Sequence, residues 1–330
     1  MNIKTSTHVL LLAATLLAAL SAPAAHAQTT GTPWRHGIIE AKSDAGILMM
    51  VTRGFAERQG LKLDILQFKS DAIGLKALLA GELESYDGAL TGTVVAASRG
   101  VDVKLLGCHW PGLPHGIFVR NSIANVEDLK GRTFAISTPF SHPDVIARTL
   151  LAQHNIDPAQ VKFANLGGDL DRFRAIVAGV ADATVISSEY TPVAEKNGIR
   201  MLIPARDVLP DYMRLCMFST GRALTARRED AIRFLAAEMS ALRYALAHRD
   251  EAIKLTQEIT GAKPDDPRPG FIFDDAVRTS GVDPDISIPD AKVAWMQDLL
   301  MKNGQLQKPV DLASFAAREI RAEAAKLAQR

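Results

Sequence analysis

Residues 75–81 read LKALLAG, and residues 173–179 read FRAIVAG. Each stretch is followed a few residues later by an aspartate and a small apolar run, DGAL at residues 87–90 and DATV at residues 182–185. A helical pattern that leads through glycine to a short strand pattern therefore occurs twice in one chain. This repetition predicts a duplicated α/β unit.

Strand-like runs alternate with helical patterns around both copies. Around the first, we predict strands at 34–39, 61–68, 87–90 and 103–106 and helices at 44–58 and 71–79. Around the second, we predict strands at 132–136, 160–164, 184–187 and 199–203 and helices at 143–153 and 169–177. Then come a strand at 213–219, a helix at 229–248, a Pro- and Asp-rich stretch at 261–289 that we predict to be mostly loop, and helices at 291–302 and 311–328. The alternation is typical of mainly parallel sheets flanked by helices.

Composition excludes several classes of protein. The 330 residues carry a net charge of +1, and 47% are hydrophobic and 23% charged, which is typical of a globular protein. A near-neutral chain without a basic excess argues against nucleic-acid binding. Two cysteines are too few for a multi-cysteine metal cluster. We therefore expect no nucleic-acid partner, no metal and no cofactor.

The N-terminus has the pattern of a secretory signal peptide. Lys4 precedes an apolar run at residues 9–20, and Ala25-His26-Ala27 places small residues at the positions that a signal peptidase requires. The run is too short to span a bilayer, which takes about 20 apolar residues. We predict cleavage after Ala27 and a periplasmic mature protein. Residues 1–27 hold one lysine and no acidic residue, so the mature chain has a net charge of zero.

Export places Cys108 and Cys216 in an oxidising compartment, where disulfides persist. They either pair, if the fold brings them together, or remain two buried thiols that pack as small apolar side chains. The sequence leaves both alternatives open.

Ligands of parallel α/β sheets bind beyond the carboxyl ends of the strands, so the strand-to-helix turns are the informative positions. These turns carry Ser, Thr, Gly and Asp, which either cap the helices or present hydroxyls and amides to an anion. The turn at residues 141–144 is the best candidate, because Pro143 suits the first helical position and leaves Ser141 and His142 facing the cleft. Lys42 and Lys69 precede equivalent turns and predict an anionic ligand. The neighbouring Asp44 and Asp71 cap their helices, neutralise these lysines or hold an amine.

Motifs of the common enzyme classes are missing from the sequence. It contains no GxGxxG after a strand, no P-loop, no HExxH and no GxSxG. Ser141 and His142 are adjacent in sequence, which seldom gives the geometry that a nucleophile and its base require. We expect no catalytic residues and interpret the chain as a binding protein.

Three short segments resemble periplasmic solute-binding proteins of ABC importers. Residues 54–61, GFAERQGL, are similar to that family's GYFEKEGL segment, and residues 78–82, LLAGE, resemble its LxxGE. Residues 126–132, VEDLKGR, resemble its DLKGK signature. The resemblance covers residues 34–247. It is strongest to the nitrate, sulfonate and taurine binding proteins and to those for thiamine-pyrimidine precursors.

This resemblance implies a two-lobed periplasmic binding protein fold of type II, in which each lobe is a mainly parallel sheet flanked by helices. Lobe one would comprise residues 28–119 plus 217–330 and lobe two residues 120–216, with hinge-crossing strands near Phe118 and Cys216. The protein would be a monomer that holds its ligand between the lobes and docks on a membrane permease. The ligand-binding residues implied by this mapping are Lys42, Ser43, Lys69, Thr91, Ser137, Thr138, Ser141, His142 and Glu189.

The leading hypothesis is therefore a protein that captures a small organic anion, a carboxylate or a sulfonate, and delivers it to an ABC importer. Two alternatives use the same fold. One is an enzyme that acts on a pyrimidine-like compound, and the other is an exported sensor module that reports ligand occupancy to a signalling partner.

Overall fold

The computed structural model describes residues 31–39, 45–68, 70–139 and 141–329. The predicted signal peptide at residues 1–27 lies outside the described residues, and so do Lys42, Ser43, Asp44 and Lys69. Within the described chain, none of the helices combines the length and the apolar character needed to cross a membrane.

The described strands form two sheets of five strands each. The strands are β1 (Trp34–Ile38), β2 (Leu63–Gln67), β3 (Ser85–Gly88), β4 (Lys104–Trp110), β5 (His115–Arg120), β6 (Thr133–Ile136), β7 (Lys162–Asn165), β8 (Ala183–Ser187), β9 (Ile199–Pro204) and β10 (Leu215–Ser219). The first sheet has the order β2-β1-β3-β10-β4, and the second has the order β7-β6-β8-β5-β9.

The two sheets share one topology. In the first, β1 is parallel to β2 and β3, while β10 is antiparallel to both of its neighbours. In the second, β6 is parallel to β7 and β8, while β5 is antiparallel to both of its neighbours. Two mainly parallel sheets of matching strand order confirm the predicted α/β fold class.

Helices flank both sheets. They are α1 (Ala45–Thr52), α2 (Phe55–Arg58), α3 (Asp71–Ala80), α4 (Leu90–Ser98), α5 (His142–Gln153), α6 (Asp169–Val177), α7 (Thr191–Ala194), α8 (Ala205–Val208), α9 (Gly221–Ala226), α10 (Arg228–Ala247), α11 (Arg249–Thr260), α12 (Arg268–Arg278), α13 (Asp290–Lys302), α14 (Leu312–Phe315) and α15 (Arg318–Leu327).

The repeated LKALLAG and FRAIVAG stretches end the equivalent helices α3 and α6. Gly81 follows α3 with φ of 81°, and Gly179 follows the end of α6 with φ of 74°. Residues that carry a side chain rarely adopt this left-handed backbone conformation, so glycine at both positions lets the chain turn from the helix toward the next strand. The similar sequence of the two copies therefore reflects equivalent backbone turns.

The chain crosses between the sheets twice. It leaves the first sheet after β4 and enters the second at β5, and it returns between β9 and β10. The predicted hinge positions Phe118 and Cys216 lie in the two antiparallel strands that follow these crossings. All of β5 pairs within the second sheet, although the predicted boundary assigns residues 115–119 to the first lobe. The division into lobes stays a prediction.

The segment at 261–289 is mostly loop, as predicted, but it also contains the helix α12, which the composition did not indicate. Proline in the first helical turn is tolerated because its missing N–H has no partner there in any case, and Pro269 occupies such a position. Tertiary contacts stabilise the helix: the buried carboxylate of Asp275 accepts a hydrogen bond from the Ser188 hydroxyl at 3.0 Å. Local composition does not reveal this long-range contact.

The structure decides two further predictions, one about the two cysteines and one about the helix α10. Cys108 of β4 and Cys216 of β10 form a disulfide bond, which decides between the alternatives that the sequence left open. Ile232, Leu235 and Met239 of α10 are buried at helical spacing, as the periodicity predicted.

His36 of β1 is a core histidine with a strongly lowered pKa. His36 is fully buried, its Nδ1 lies 2.7 Å from the Ser85 hydroxyl, and its ring contacts that of Phe234. Burial, with a smaller contribution from the nearby His109, lowers the pKa of His36 to about 3. The imidazole is therefore neutral in the folded protein at neutral pH.

We expect His36 to make stability fall with decreasing pH. The unfolded chain binds a proton at His36 below about pH 6.5 and the folded chain does not, so the free energy of unfolding falls by up to about 1.4 kcal/mol per pH unit between pH 6.5 and 3. His36→Asn keeps a polar atom near Ser85 and removes this titration. Urea unfolding at pH 7.5, 6.5, 5.5 and 4.5 checks the prediction. The variant should show a slope shallower by about 1 kcal/mol per unit, and equal slopes would contradict the assignment.

Candidate functional site

A cavity of about 650 Å³, here called the cleft cavity, lies between the two sheets. Its wall comes from the first turns of α3, α4, α5 and α6, from the start of β5, from the residues before β10 and from the C-terminal ends of α4 and α13. The first turns of the four helices lie at the carboxyl ends of the parallel strands, where α/β sheets bind ligands. The volume is within the range of small-molecule sites.

Asp71 organises the side of the cleft cavity that belongs to the first sheet. Its Oδ1 accepts a hydrogen bond from the Tyr86 hydroxyl and another from the Ala89 backbone N–H, both at 2.8 Å. The carboxylate thereby ties the turn after β2 to the turn after β3. The structure gives Asp71 a role that the sequence did not predict, because its carboxylate positions the turn that carries Thr91.

Tyr212 and Thr91 form a hydrogen-bonded pair in the same wall. Burial raises the pKa of Tyr212 to about 12, against the opposing effects of Arg214 and of the hydrogen bond with Thr91. Tyr212 is therefore a neutral phenol at physiological pH. In this pair of hydroxyls either group can be the donor.

The side that belongs to the second sheet is built around Arg172 and Asp169. Asp169 accepts from Arg172 at 2.5 Å through Oδ1 and from the Ser187 backbone N–H at 2.8 Å through Oδ2. Arg172 also donates to the Ser137 hydroxyl oxygen at 2.6 Å. The turns after β6, β7 and β8 are therefore connected through these side chains.

The turn before α5 presents an imidazole to the cleft cavity. The Ser141 hydroxyl donates to the Thr138 carbonyl oxygen at 2.6 Å, so its proton is used within the turn. His142 Nε2 is buried and has no hydrogen-bond partner among the described residues. Burial, with contributions from His115 and Arg214, lowers the pKa of His142 well below its usual value. Its ring packs edge-on against His115, with centroids 4.3 Å apart.

Arg214 places a positive charge at the cleft cavity. It is half-buried and lies in the wall, one residue before β10. Its charge adds to the effects of burial and of His115 in lowering the pKa of His142, and it opposes the effect of burial on the pKa of Tyr212. Arg99, by contrast, is an exposed residue of the wall on the last turn of α4.

The structure brings four of the predicted site residues into the wall of the cleft cavity: Thr91, Ser137, Ser141 and His142. Thr138 is exposed, and its backbone binds Ser141 beside the cavity. Glu189 does not line this cavity. Lys42, Ser43 and Lys69 lie outside the described residues, so the wall as described here is built without them.

Among the residues of the wall that escaped the sequence analysis are His115, Arg172, Tyr212 and Arg214. Three of them lie at or just before an antiparallel crossing strand, and the fourth lies one turn inside α6. A crossing strand starts at the sheet edge where the parallel strands end. The feature that could have identified His115 and Arg214 is therefore their position at or just before the start of a strand that runs antiparallel to its neighbours.

The cleft cavity offers mainly donors to a ligand. Arg214 brings a positive charge, and the Ser137 hydroxyl accepts a hydrogen bond from Arg172, so its own proton is directed to another acceptor. The carboxylates of Asp71 and Asp169 are held by donors of the wall. Among the described residues, no three His, Cys, Asp or Glu side chains are grouped to hold a metal ion. Such a wall suits a ligand with anionic oxygens.

Residues 42–252 match the family model described as NMT1/THI5 like. The chain belongs to this family, and its two-sheet architecture is that of the type II periplasmic binding proteins, as the resemblance of its sequence implied. No protein with curated annotation matches the sequence at a significant level.

Solved structures share the fold at low sequence identity. The aliphatic sulphonate binding protein SsuA of Escherichia coli is 20% identical with a TM-score of 0.70, over 86% of this chain and 92% of that chain. The nitrate-binding protein NrtA of Synechocystis PCC 6803 is 14% identical with a TM-score of 0.70, over 89% and 88% of the two chains. The desulfurization enzyme DSZB is 16% identical with a TM-score of 0.68, over 88% and 99%. These likenesses show the fold, and the three proteins named are two binding proteins and one enzyme.

Proposed function

We propose that this protein is an extracytoplasmic solute-binding protein that captures a small organic anion, a carboxylate or a sulfonate, and delivers it to an ABC importer. The observation that carries the proposal is Arg214, a half-buried arginine in the wall of a cavity between the two sheets, a wall that also contains the Ser137 hydroxyl with its oxygen already accepting from Arg172. Charge-assisted hydrogen bonds from such groups are the strong ones in anion recognition.

The remaining predicted features belong to the same proposal. Residues 1–27 direct export to the periplasm and are removed after Ala27. The two lobes close on the ligand as a monomer, and the closed form docks on the permease. Thr91, Ser137, Ser141 and His142, together with Lys42, Ser43 and Lys69, contribute to the anion site. Ser141 acts through the backbone at the start of α5, where its side chain caps no helix amide.

Binding without chemistry is the mode of action that the wall supports. The neutral His142 contacts His115 and Tyr212 rather than a hydroxyl that it would activate as a base. The Ser141 hydroxyl donates its hydrogen bond to the Thr138 carbonyl oxygen, so it is not arranged as a nucleophile. We propose that the cleft cavity holds its ligand unchanged.

Thermal unfolding of the mature protein, from Gln28 onward, tests the proposal against matched pairs of compounds. Ethanesulfonate, acetate and nitrate are compared with ethanesulfonamide, acetamide and uracil. An anion at 100 times its dissociation constant should stabilise the fold by about 2.7 kcal/mol and raise the unfolding temperature, while the neutral counterparts should not.

The outcomes separate the functional hypotheses. Stabilisation by neutral compounds alone would refute the anion proposal. Conversion of a stabilising compound into a product, followed by mass spectrometry, would show an enzyme and not a binding protein. Recovery of the compound unchanged at a 1:1 stoichiometry supports solute binding.

A further inference from the structure

Arg172 is a buried arginine whose hydrogen bonds are satisfied within the wall of the cleft cavity. It is 2% exposed. Its Nη1 donates to the Ser137 hydroxyl oxygen and to the Gly167 carbonyl oxygen, and its Nη2 donates to Asp169 and to the Val185 carbonyl oxygen. Its Nε donates to the Val185 carbonyl oxygen as well, at 3.2 Å. A guanidinium has five N–H groups, so these bonds leave no donor for a ligand.

The acceptors of Arg172 lie in the turns after two strands and within a third strand. Ser137 follows β6, Gly167 and Asp169 follow β7, and Val185 lies in β8. Asp169 extends the connection to the Ser187 backbone N–H at the end of β8. The planar guanidinium group of an arginine can donate to acceptors in several directions at once, whereas a lysine offers three donors from a single atom. Arg172 therefore sets the relative positions of these two turns and of β8.

Ser137 receives its hydrogen bond from a group that cannot accept one in return. Arginine carries no acceptor, so the Ser137 hydroxyl proton must point to another acceptor. Ser137 lines the cleft cavity, and the 2.6 Å contact restrains its oxygen. The hydroxyl is thereby fixed as a donor toward the space that a ligand would occupy.

We propose that Arg172 is a positioning residue for ligand selection: it acts through Ser137, whose hydroxyl it holds as a donor to an anionic oxygen of the ligand. This inference rests on the proposed anion-binding function and deepens it. A restrained donor selects ligands with an acceptor oxygen at that position, as sulfonates and carboxylates have, over compounds that present an N–H there.

A double-mutant cycle in the mature protein tests this coupling. Ser137→Ala, Arg172→Lys and the double variant are titrated calorimetrically with ethanesulfonate and with acetate. Ser137→Ala should weaken binding about tenfold in the wild-type background, because a hydrogen bond to a charged group is lost. In the Arg172→Lys background the same change should cost less than twofold, because the hydroxyl is no longer oriented. Arg174→Lys, an exposed residue of the same helix, is the matched control and should leave the affinity unchanged.

Each result has a distinct meaning. If Ser137→Ala costs the same factor in both backgrounds, Arg172 is only structural and the inference is overturned. If neither anion binds to the wild-type protein, the proposed function fails and the inference falls with it. Should thermal unfolding show that Arg172→Lys does not fold, Asp169→Asn replaces it, because it removes the ionic partner that anchors the guanidinium. The cost of Ser137→Ala should then fall at least threefold, and an unchanged cost again overturns the inference.

Discussion

Replacing Arg214 by alanine is expected to weaken anion binding at least 30-fold. The charge of Arg214 reaches both His142 and Tyr212 in the wall of the cleft cavity. Arg172 of the same wall is buried and donates to acceptors within the protein. Loss of one partner from a shielded, hydrogen-bonded charge pair typically costs about 2–5 kcal/mol, which corresponds to a factor of about 30 or more in affinity.

Calorimetric titration of the mature protein with ethanesulfonate and acetate measures this effect. Arg214→Lys keeps the charge and loses the planar fork, so its affinity should fall between those of the wild type and Arg214→Ala. Arg53→Ala is the control, because Arg53 pairs with Glu251 on α11, outside the cleft cavity. An unchanged affinity of Arg214→Ala would show that the anion lies elsewhere, and Lys42 and Lys69 would then be the residues to replace.

The sequence predicted those parts of the site that follow from local rules. Polar residues after a parallel strand begin a helix and face the ligand edge of the sheet, and this rule found Thr91, Ser137 and His142. The same rule selected Glu189, whose turn after β8 directs the carboxylate toward Arg268 on α12. A local pattern identifies the turn, but it does not determine which side of the turn a side chain occupies.

Arg214 and His115 were beyond these rules because they depend on strand direction. β10 pairs antiparallel with β3, and its first residues lie opposite the last residues of β3, with Cys216 paired to Gly88. In the second sheet, His115 of β5 pairs with Ser187 at the end of β8. Strand direction is set by the long-range order of the sheet, and no residue close in sequence reveals it.

Arg172 was missed for a different reason. In the sequence it is one of several charged residues in the first turns of α6, and a charged residue on a helix is usually solvated. Its burial follows from acceptors far apart along the chain, the Ser137 hydroxyl and the Val185 carbonyl oxygen. Only the assembled turns provide enough acceptors to offset the desolvation of the charge.

Loss of the disulfide bond is expected to produce the largest change in stability. Cys108 and Cys216 join neighbouring strands of the first sheet and are 108 residues apart in sequence. All five strands of the second sheet lie between them, so the bridge closes a loop that contains that entire sheet. The chain-entropy model gives about 4.7 kcal/mol for closing a loop of roughly 100 residues in the unfolded chain.

Urea unfolding at pH 7 of the wild type and of the Cys108→Ala/Cys216→Ala variant measures this contribution. We expect the free energy of unfolding to fall by about 3–5 kcal/mol and the m-value to rise, because the unfolded chain without the cross-link exposes more surface. A thiol reductant should destabilise the wild type by a similar amount and leave the variant unchanged, which separates the bridge from the packing of the sulfur atoms. A difference of less than about 1 kcal/mol between wild type and variant would mean that the sheet hydrogen bonds between β4 and β10 hold the loop closed without the covalent bond.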